Sequence, residues 1–344
     1  MKRILAGFFL GSLALAQSLS FQEAWQRALG QNPTYQNALL AWESAQVELR
    51  ALEADPSTLI LPLTQARQAL ALAEVQVAAS RLSLLQTLLS AYTALLEAQS
   101  NDEVLKVNRV LAERNLQVAQ ARRQTGNATD LDVAKAEAAL RSAEIALQNA
   151  KAQRPALLKA LEAALGASLP GEPRLTSLPE PKILEVDLGA LREGLEARLV
   201  SLVQARQALE LAELQVRLAD NDYTPRLTLE KAKASRDNAQ KALDNARAQA
   251  LSALESAYAQ TQAAWSQVLT AREALANQER TFEVARRAFQ AGTISRLELE
   301  QEEANLAQAR HDLLVAQNAY WRSLAALSVA AGRDLVGFGE EVGR

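Results

Sequence analysis

The 344-residue chain has no cysteine, one histidine and one methionine. The missing cysteine excludes a disulfide framework and a thiolate nucleophile, and it removes the residue on which a bacterial lipid anchor would be built. One histidine and no cysteine leave little with which to build a zinc site. Aromatic residues make up 4% of the chain, too little volume for a deep compact core. After the first sixteen residues the apolar runs are broken every few positions by Gln, Glu, Arg or Lys, so none offers the roughly 20 apolar residues a membrane helix needs. A net charge of −3 gives no whole-chain argument for nucleic acid. With 13 glycines and 9 prolines, breaks are sparse.

What is present is a helix-forming alphabet of Ala, Leu, Gln, Glu and Arg, behind a start that reads as an export signal. Lys2 and Arg3 precede the apolar run Ile4–Ala16, which ends in the cleavage-like triplet Ala14-Leu15-Ala16. The expected organisation is a signal peptide over 1–16, a first unit over 17–166, a Pro-rich linker over 167–187, a second unit over 188–332 and a tail over 333–344.

The two units come from an internal repeat. At an offset of 166 residues, Ala91-Tyr92 falls on Ala257-Tyr258, Val118-Ala119 on Val284-Ala285, Gly126 on Gly292, Leu131 on Leu297, Leu140 on Leu306, Leu161 on Leu327 and Gly166 on Gly332. No gap is needed between Tyr92 and Gly166. A second similarity, residues 63–77 against 202–216, needs an offset of 139 and reads as two heptad helices sharing a restricted alphabet.

Each unit parses alike. A first helix is expected over 20–53 and over 187–220. A break follows at Asp55-Pro56-Ser57-Thr58 and over 220–225. A rod over 63–124 and over 229–290 would be about 93 Å long at 1.5 Å per residue and would need coiled-coil support. Tight turns come next, at Gly126 and Gly292, where glycine can take the left-handed conformation that ends a helix. Thr129 and Ser295 can cap the return helices over 130–165 and 296–331. The return helices carry seams of alternating three- and four-residue steps: Val133, Ala136, Leu140, Ala143, Leu147, Ala150, Leu157, Leu161 and Ala164, interrupted by Arg154. The second seam is Leu299, Leu306, Ala309, Leu313, Ala316, Tyr320, Leu327 and Ala330, interrupted by Glu302 and Ser323. Such seams pack against a neighbouring helix. The fold class is therefore all-α: two tandem long coiled-coil hairpins.

Several blocks resemble the TolC family of outer-membrane efflux proteins. The opening Ser18-Leu19-Ser20-Phe21-Gln22-Glu23-Ala24 with Asn32-Pro33 looks like the family's start. The blocks from Gly126 through Leu131-Asp132-Val133 to Leu140, and from Ala288 through Gly292-Thr293 and Leu297-Glu298-Leu299 to Leu306, look like its two periplasmic turns. Ala164-Leu165-Gly166 and Ala330-Ala331-Gly332 look like its repeat ends. The resemblance implies three chains forming a hollow helical cylinder, a homotrimer that docks on a periplasmic adaptor protein and an inner-membrane pump and passes small molecules or proteins outward. Members insert two membrane-spanning β-strands at each break. Here Thr58–Leu63 and Arg226–Leu229 are too short for a hairpin of 9–11-residue strands, so the strands are expected to be absent or reduced to stubs, and outer-membrane insertion is an open question.

The resemblance places acids at the tunnel mouth, and Asp130, Asp132, Glu298 and Glu300 occupy that region. A ring of carboxylates there would favour cations. The plainer reading is acids at helix N-termini, which the helix dipole favours. The turn residues Gly126, Asn127, Ala128 and Thr129, with Gly292, Thr293, Ile294 and Ser295, are the expected adaptor contact. His311, among Gln308, Arg310 and Asp312, reads as a solvated position, and Trp25, Trp42, Trp265 and Trp321 read as packing anchors. No nucleophile–base pair, metal cluster or phosphate loop occurs, so neither an enzyme nor a cofactor is expected. Two functions remain: a tunnel component of an export system, or a barrel-less periplasmic coiled-coil spacer or adaptor-binding protein that transports nothing.

Overall fold

The computed structural model describes residues 18–338; the expected signal peptide and the last six residues of the tail lie outside the described residues. Among the described residues the chain forms nine helices and one pair of two-residue strands. The long elements fall 166 apart at both ends. Helix α3 is Ile60–Gln124 and α8 is Arg226–Gln290, each 65 residues. Helix α4 is Asp130–Leu165 and α9 is Arg296–Ala331, each 36 residues. Sixty-five residues make a rod of about 98 Å.

The expected first helices are divided. Residues 21–54 form α1 (Phe21–Gln31) and α2 (Pro33–Ala54). Pro33 pushes the preceding Asn32 into extended backbone and then starts the next helix at its first position. Asn32 holds the joint: its Oδ1 accepts from the Thr34 and Tyr35 amides, and its Nδ2 donates to the Ala164 carbonyl at 3.0 Å. The second unit's counterpart is cut twice, into α5 (Leu188–Arg192), α6 (Leu195–Arg198) and α7 (Val200–Ala219), with Gly194 in the left-handed region. The segments that resembled strand stubs are turn and helix: Asp55–Leu59 forms the turn, and Ile60–Leu63 and Arg226–Leu229 are the first turns of α3 and α8.

Each unit is a rod with partners at both of its ends. α4 lies along the distal half of α3 and α9 along that of α8, while α2 and α7 cover the proximal halves. The units join because α3 packs on α9 distally and on α7 proximally. The result is one layer, ordered α4, α3, α9, α8 towards the tip turns and α2, α3, α7, α8 towards the breaks. The half-buried and buried positions of α4 are the expected seam residues, and those of α9 follow the same spacing. Alternating Leu with Ala is what allows rods this close.

The two segments related by the offset of 139 are not the repeat, but they face each other. Along the antiparallel α3–α7 contact, Gln68 Nε2 donates to the Gln207 carbonyl at 3.2 Å and Gln207 Nε2 donates to the Gln68 carbonyl at 2.8 Å.

The main core sits midway along the rods, where α1 and α4 end against α3. It contains Trp25, Leu85, Leu88, Leu89, Tyr92, Leu161, Leu165 and Tyr320. A smaller cluster in the second unit groups Leu191, Leu195, Leu202, Leu254, Leu327 and Ala331. Gly166 and Gly332 close the return helices with φ of 76° and 61°. A side chain at Gly166 would run into Gln31 and Asn32, and one at Gly332 into Arg198, positions that are themselves 166 apart.

The linker is extended but held in place. Its strand β2 (Arg174–Leu175) pairs in parallel with β1 (Ser18–Leu19), and it crosses the waist of the layer as a strap. Tyr92 Oη donates within 2.8 Å of the Leu19 and Thr176 carbonyls, and Tyr320 Oη donates to the Lys182 carbonyl at 2.8 Å. Trp321 Nε1 donates to the Pro179 carbonyl at 3.2 Å. Burial raises the pKa of both tyrosines, so both phenols stay protonated donors at neutral pH.

Candidate functional site

The two tip turns are near copies. In the first, the Gly126 amide donates to the Arg123 carbonyl and the Asn127 amide to the Arg122 carbonyl; in the second, Gly292 donates to Phe289 and Thr293 to Ala288. Both glycines are left-handed, with φ of 76° and 74°. This pattern satisfies the last carbonyls of a rod. Nothing lies within 4 Å of where a side chain on either glycine would sit. The turn residues are exposed except Ala128 and Ile294, which are half-buried.

The four acids are not equivalent. Asp132 and Glu298 each complete a capping box: Thr129 Oγ1 accepts from the Asp132 amide while the Asp132 carboxylate accepts from the Thr129 amide, and Ser295 and Glu298 do the same. Hydrogen bonds from the backbone and side chain of Thr129 and of Ser295 hold these two carboxyls below their ordinary pKa values. Both are charged at neutral pH and aimed back into their own helices. Asp130 pairs with Arg123 across the first turn. Glu300 lies under the second unit's edge, its side chain 13% exposed, between Arg296 at 2.8 Å and Arg114 of α3 at 3.4 Å. Of these four acids, Glu300 is the one that reaches the other hairpin, through Arg114.

Other polar groups were not legible as a site. Arg154, which reads as a flaw in the α4 seam, reaches Asp102 on α3 at 2.5 Å and pairs with Glu172 on the strap. Asp102 is 2% exposed, a burial no charged group sustains without a partner. Arg322 on α9 donates to Glu97 at 2.6 Å and to Thr93 at 2.9 Å on α3. His311 is a correction: it is half-buried on the α3–α9 seam, its Nδ1 3.1 Å from Ser100 Oγ. Trp25 and Trp321 are buried and Trp265 packs against the main core, while Trp42 is half-buried on α2. Among the described residues no group of three metal-ligating side chains occurs, and no helix is long and apolar enough to cross a membrane.

The described residues thus form paired hairpins, each ending in an open glycine turn and strapped at the waist. The profile of the outer membrane efflux protein family matches residues 62–167 and 228–333, two windows offset by the same 166 residues. The chain belongs to that family. Among solved structures it is similar to the outer membrane protein VceC of Vibrio cholerae, at 18% identity and a TM-score of 0.65, over 91% of this chain and 96% of that one. It is also similar to the CmeC outer membrane channel of Campylobacter jejuni, at 16% identity and a TM-score of 0.64, over 91% and 85%. The open-state MtrE channel of Neisseria gonorrhoeae aligns at 16% identity and a TM-score of 0.55, over 92% and 89%. No curated protein sequence gives a significant match.

Proposed function

We propose that this chain is an exported, TolC-like component of an envelope efflux or secretion system. Three copies close a helical tunnel through which small molecules or proteins pass outward without chemistry of the chain's own. The observation that carries the reading is unequal burial of repeated residues. Ala304 and Leu306 on α9 are 4% and 5% exposed; their repeat counterparts on α4, Ala138 and Leu140, are exposed and half-buried. Leu85 on α3 is 1% exposed and its counterpart on α8, Leu251, 38%. α9 has a rod on each side, whereas α4 and α8 are edges. The same residues that fill a seam inside the chain are left uncovered at its margins, and closed symmetry removes such margins.

In this reading the two turns of each chain, Gly126–Thr129 and Gly292–Ser295, stand at one end of the tunnel and receive the adaptor through which an inner-membrane pump acts. Asp130, Asp132, Glu298 and Glu300 put negative charge beside that mouth. The test is a transport assay. Cells lacking the chain should retain a fluorescent pump substrate, and the chain should restore its loss. Replacing both Asn127 and Thr293 with Trp should abolish that restoration without changing helical content. Equal dye retention with and without the chain would contradict the reading.

A second reading has its own observation. The breaks Asp55–Leu59 and Asp220–Pro225 are plain turns leading into helix, with no membrane strands at either. A periplasmic spacer that binds an adaptor and conducts nothing would be built the same way.

A further inference from the structure

The strap borders a cleft at the waist. Its polar half, about 570 Å³, lies among α3, the Arg154 side chain of α4 and the strap from Glu172 to Ser177. Its apolar half, about 490 Å³, runs on among Val104, Val107, Leu275, Leu313 and Leu314. Ser100, Glu103, Ser177 and Leu314 line both halves, so the two are continuous. In the polar half two acidic side chains share one guanidinium: Arg154 donates to Asp102 Oδ2 at 2.5 Å and to Glu172 Oε1 at 2.8 Å. Gln99 is fully used, its Nε2 donating to Glu172 and to the Pro173 carbonyl and its Oε1 accepting from the Leu175 amide. Lys106 is engaged by Glu103 at 2.7 Å, and Arg174 stands exposed at the rim. Asp102 Oδ1 is left over. Asp102 is 2% exposed, and among the described residues nothing donates to that oxygen. A buried acceptor without a donor is costly and calls for an occupant.

The fold does not require this polar clasp. At the offset of 166, Gln99, Asp102 and Arg154 become Trp265, Val268 and Tyr320. There Val268 and Tyr320 are fully buried, and the Trp265 and Tyr320 rings meet at 5.1 Å. The second unit fills the matching positions with apolar packing. A buried ion pair is commonly replaced by packed apolar residues without loss of stability. The first unit instead keeps one, with an oxygen unserved, beside an open cleft. Sites that break the local rules of packing in this way are where function is expected.

We propose that the cleft under the strap binds an amphipathic primary amine. Its ammonium group donates to Asp102 Oδ1, as the second cation of a clasp in which two acidic side chains have only one. Its aliphatic body lies along Val104, Val107 and Leu313 in the apolar half. Charge and shape both select. An anion would meet Asp102, Glu103 and Glu172. A purely apolar molecule would leave Oδ1 unserved, and a small ammonium ion would leave the apolar half empty. Oδ1 is closed to solvent in the free chain, so binding carries with it a small opening of the Asp102–Glu172 clasp. The site belongs to a single chain and stands whether or not copies close a tunnel.

The probe is octylammonium, titrated calorimetrically into the mature chain below the concentration at which it self-associates. It should bind saturably, one molecule per chain. Hexylammonium, shorter by two methylenes, should bind on the order of ten-fold more weakly. Octyltrimethylammonium, a cation with no N–H, should also lose about ten-fold or more, the worth of a hydrogen bond to a charged group. Octanoate, matched in length and opposite in charge, should not bind. Asp102→Asn should weaken octylammonium about ten-fold or more. Ser177→Trp, at an exposed strap position that lines both halves, should fill their junction and block binding with helical content unchanged. If Asp102→Asn does not fold, Ser177→Trp and the probe series decide alone. No saturable binding to the parent chain would mean that water serves Asp102 Oδ1, and it would overturn the proposal. Octanoate binding as well as octylammonium, or octylammonium binding unchanged by Ser177→Trp, would overturn it too. Each of these outcomes leaves the tunnel reading to its own transport assay.

Discussion

Tyr92 shows how much one side chain settles. Its ring packs edge-on against Phe21 at 5.4 Å, and its hydroxyl joins the first strand to the strap. Tyr92→Phe keeps the packing but removes the hydroxyl's bonds to the Leu19 and Thr176 carbonyls, leaving the Leu19 carbonyl the Thr176 amide alone. It should cost about 1–3 kcal/mol, read as a lower denaturation midpoint. The capping carboxyls make a pH prediction. Asp132 and Glu298 have folded pKa values depressed by their cap bonds, so the folded state binds protons less readily than the unfolded chain. Their contribution is fully present above the ordinary carboxylate pKa of about 4 and is lost as pH falls through the lower folded values. The stability difference between the parent and Asp132→Asn/Glu298→Gln should therefore be constant from neutral pH down to the ordinary carboxylate range and shrink below it. A difference that grew on acidification would contradict the capping role. These two acids also show a limit of sequence reading. Thr-x-x-Asp and Ser-x-x-Glu spell the capping box openly, but whether a carboxylate serves its own helix or faces a lumen is a matter of geometry, and the geometry has each bonded to its own N-cap.

At the scale of elements, the rods, turns and return helices were legible nearly to the residue, because heptad spacing, left-handed glycines and N-cap residues all speak locally. The first helices were not, since Asn32-Pro33 and Gly194 interrupt segments whose apolar content looks continuous. Interruptions in the seams carried information that periodicity could only register as noise. Arg154 breaks the α4 heptad because Asp102 and Glu172 require a cation there. Arg154→Ala should leave Asp102 buried without its cation, costing about 3–5 kcal/mol, measured by denaturant unfolding. The strap was read as a mere linker because its grip depends on aromatic hydroxyls and an indole 84 to 142 positions away in the chain. Position along the layer should also grade equal substitutions. Leu306→Glu, between two rods, should destabilise the single chain more than Leu140→Glu, its repeat twin on the margin, since burying a charge without a partner is the larger penalty. Equal unfolding midpoints would mean that α4 is no edge.

At the scale of the molecule, the chain is one layer of rods whose outermost members have a rod on one side. Nothing in a single sequence displays that margin directly; it appears when matched positions such as Leu306 and Leu140 are compared for burial. In the proposed tunnel, the internal contact between α3 and α9 is the pattern that a contact between copies would follow. The shape of the purified assembly tests this most directly. Particle imaging of the mature chain at micromolar concentration should show a hollow cylinder of three copies, with six hairpin turns at one end. A population of single two-hairpin rods, unchanged across concentration, would contradict the account.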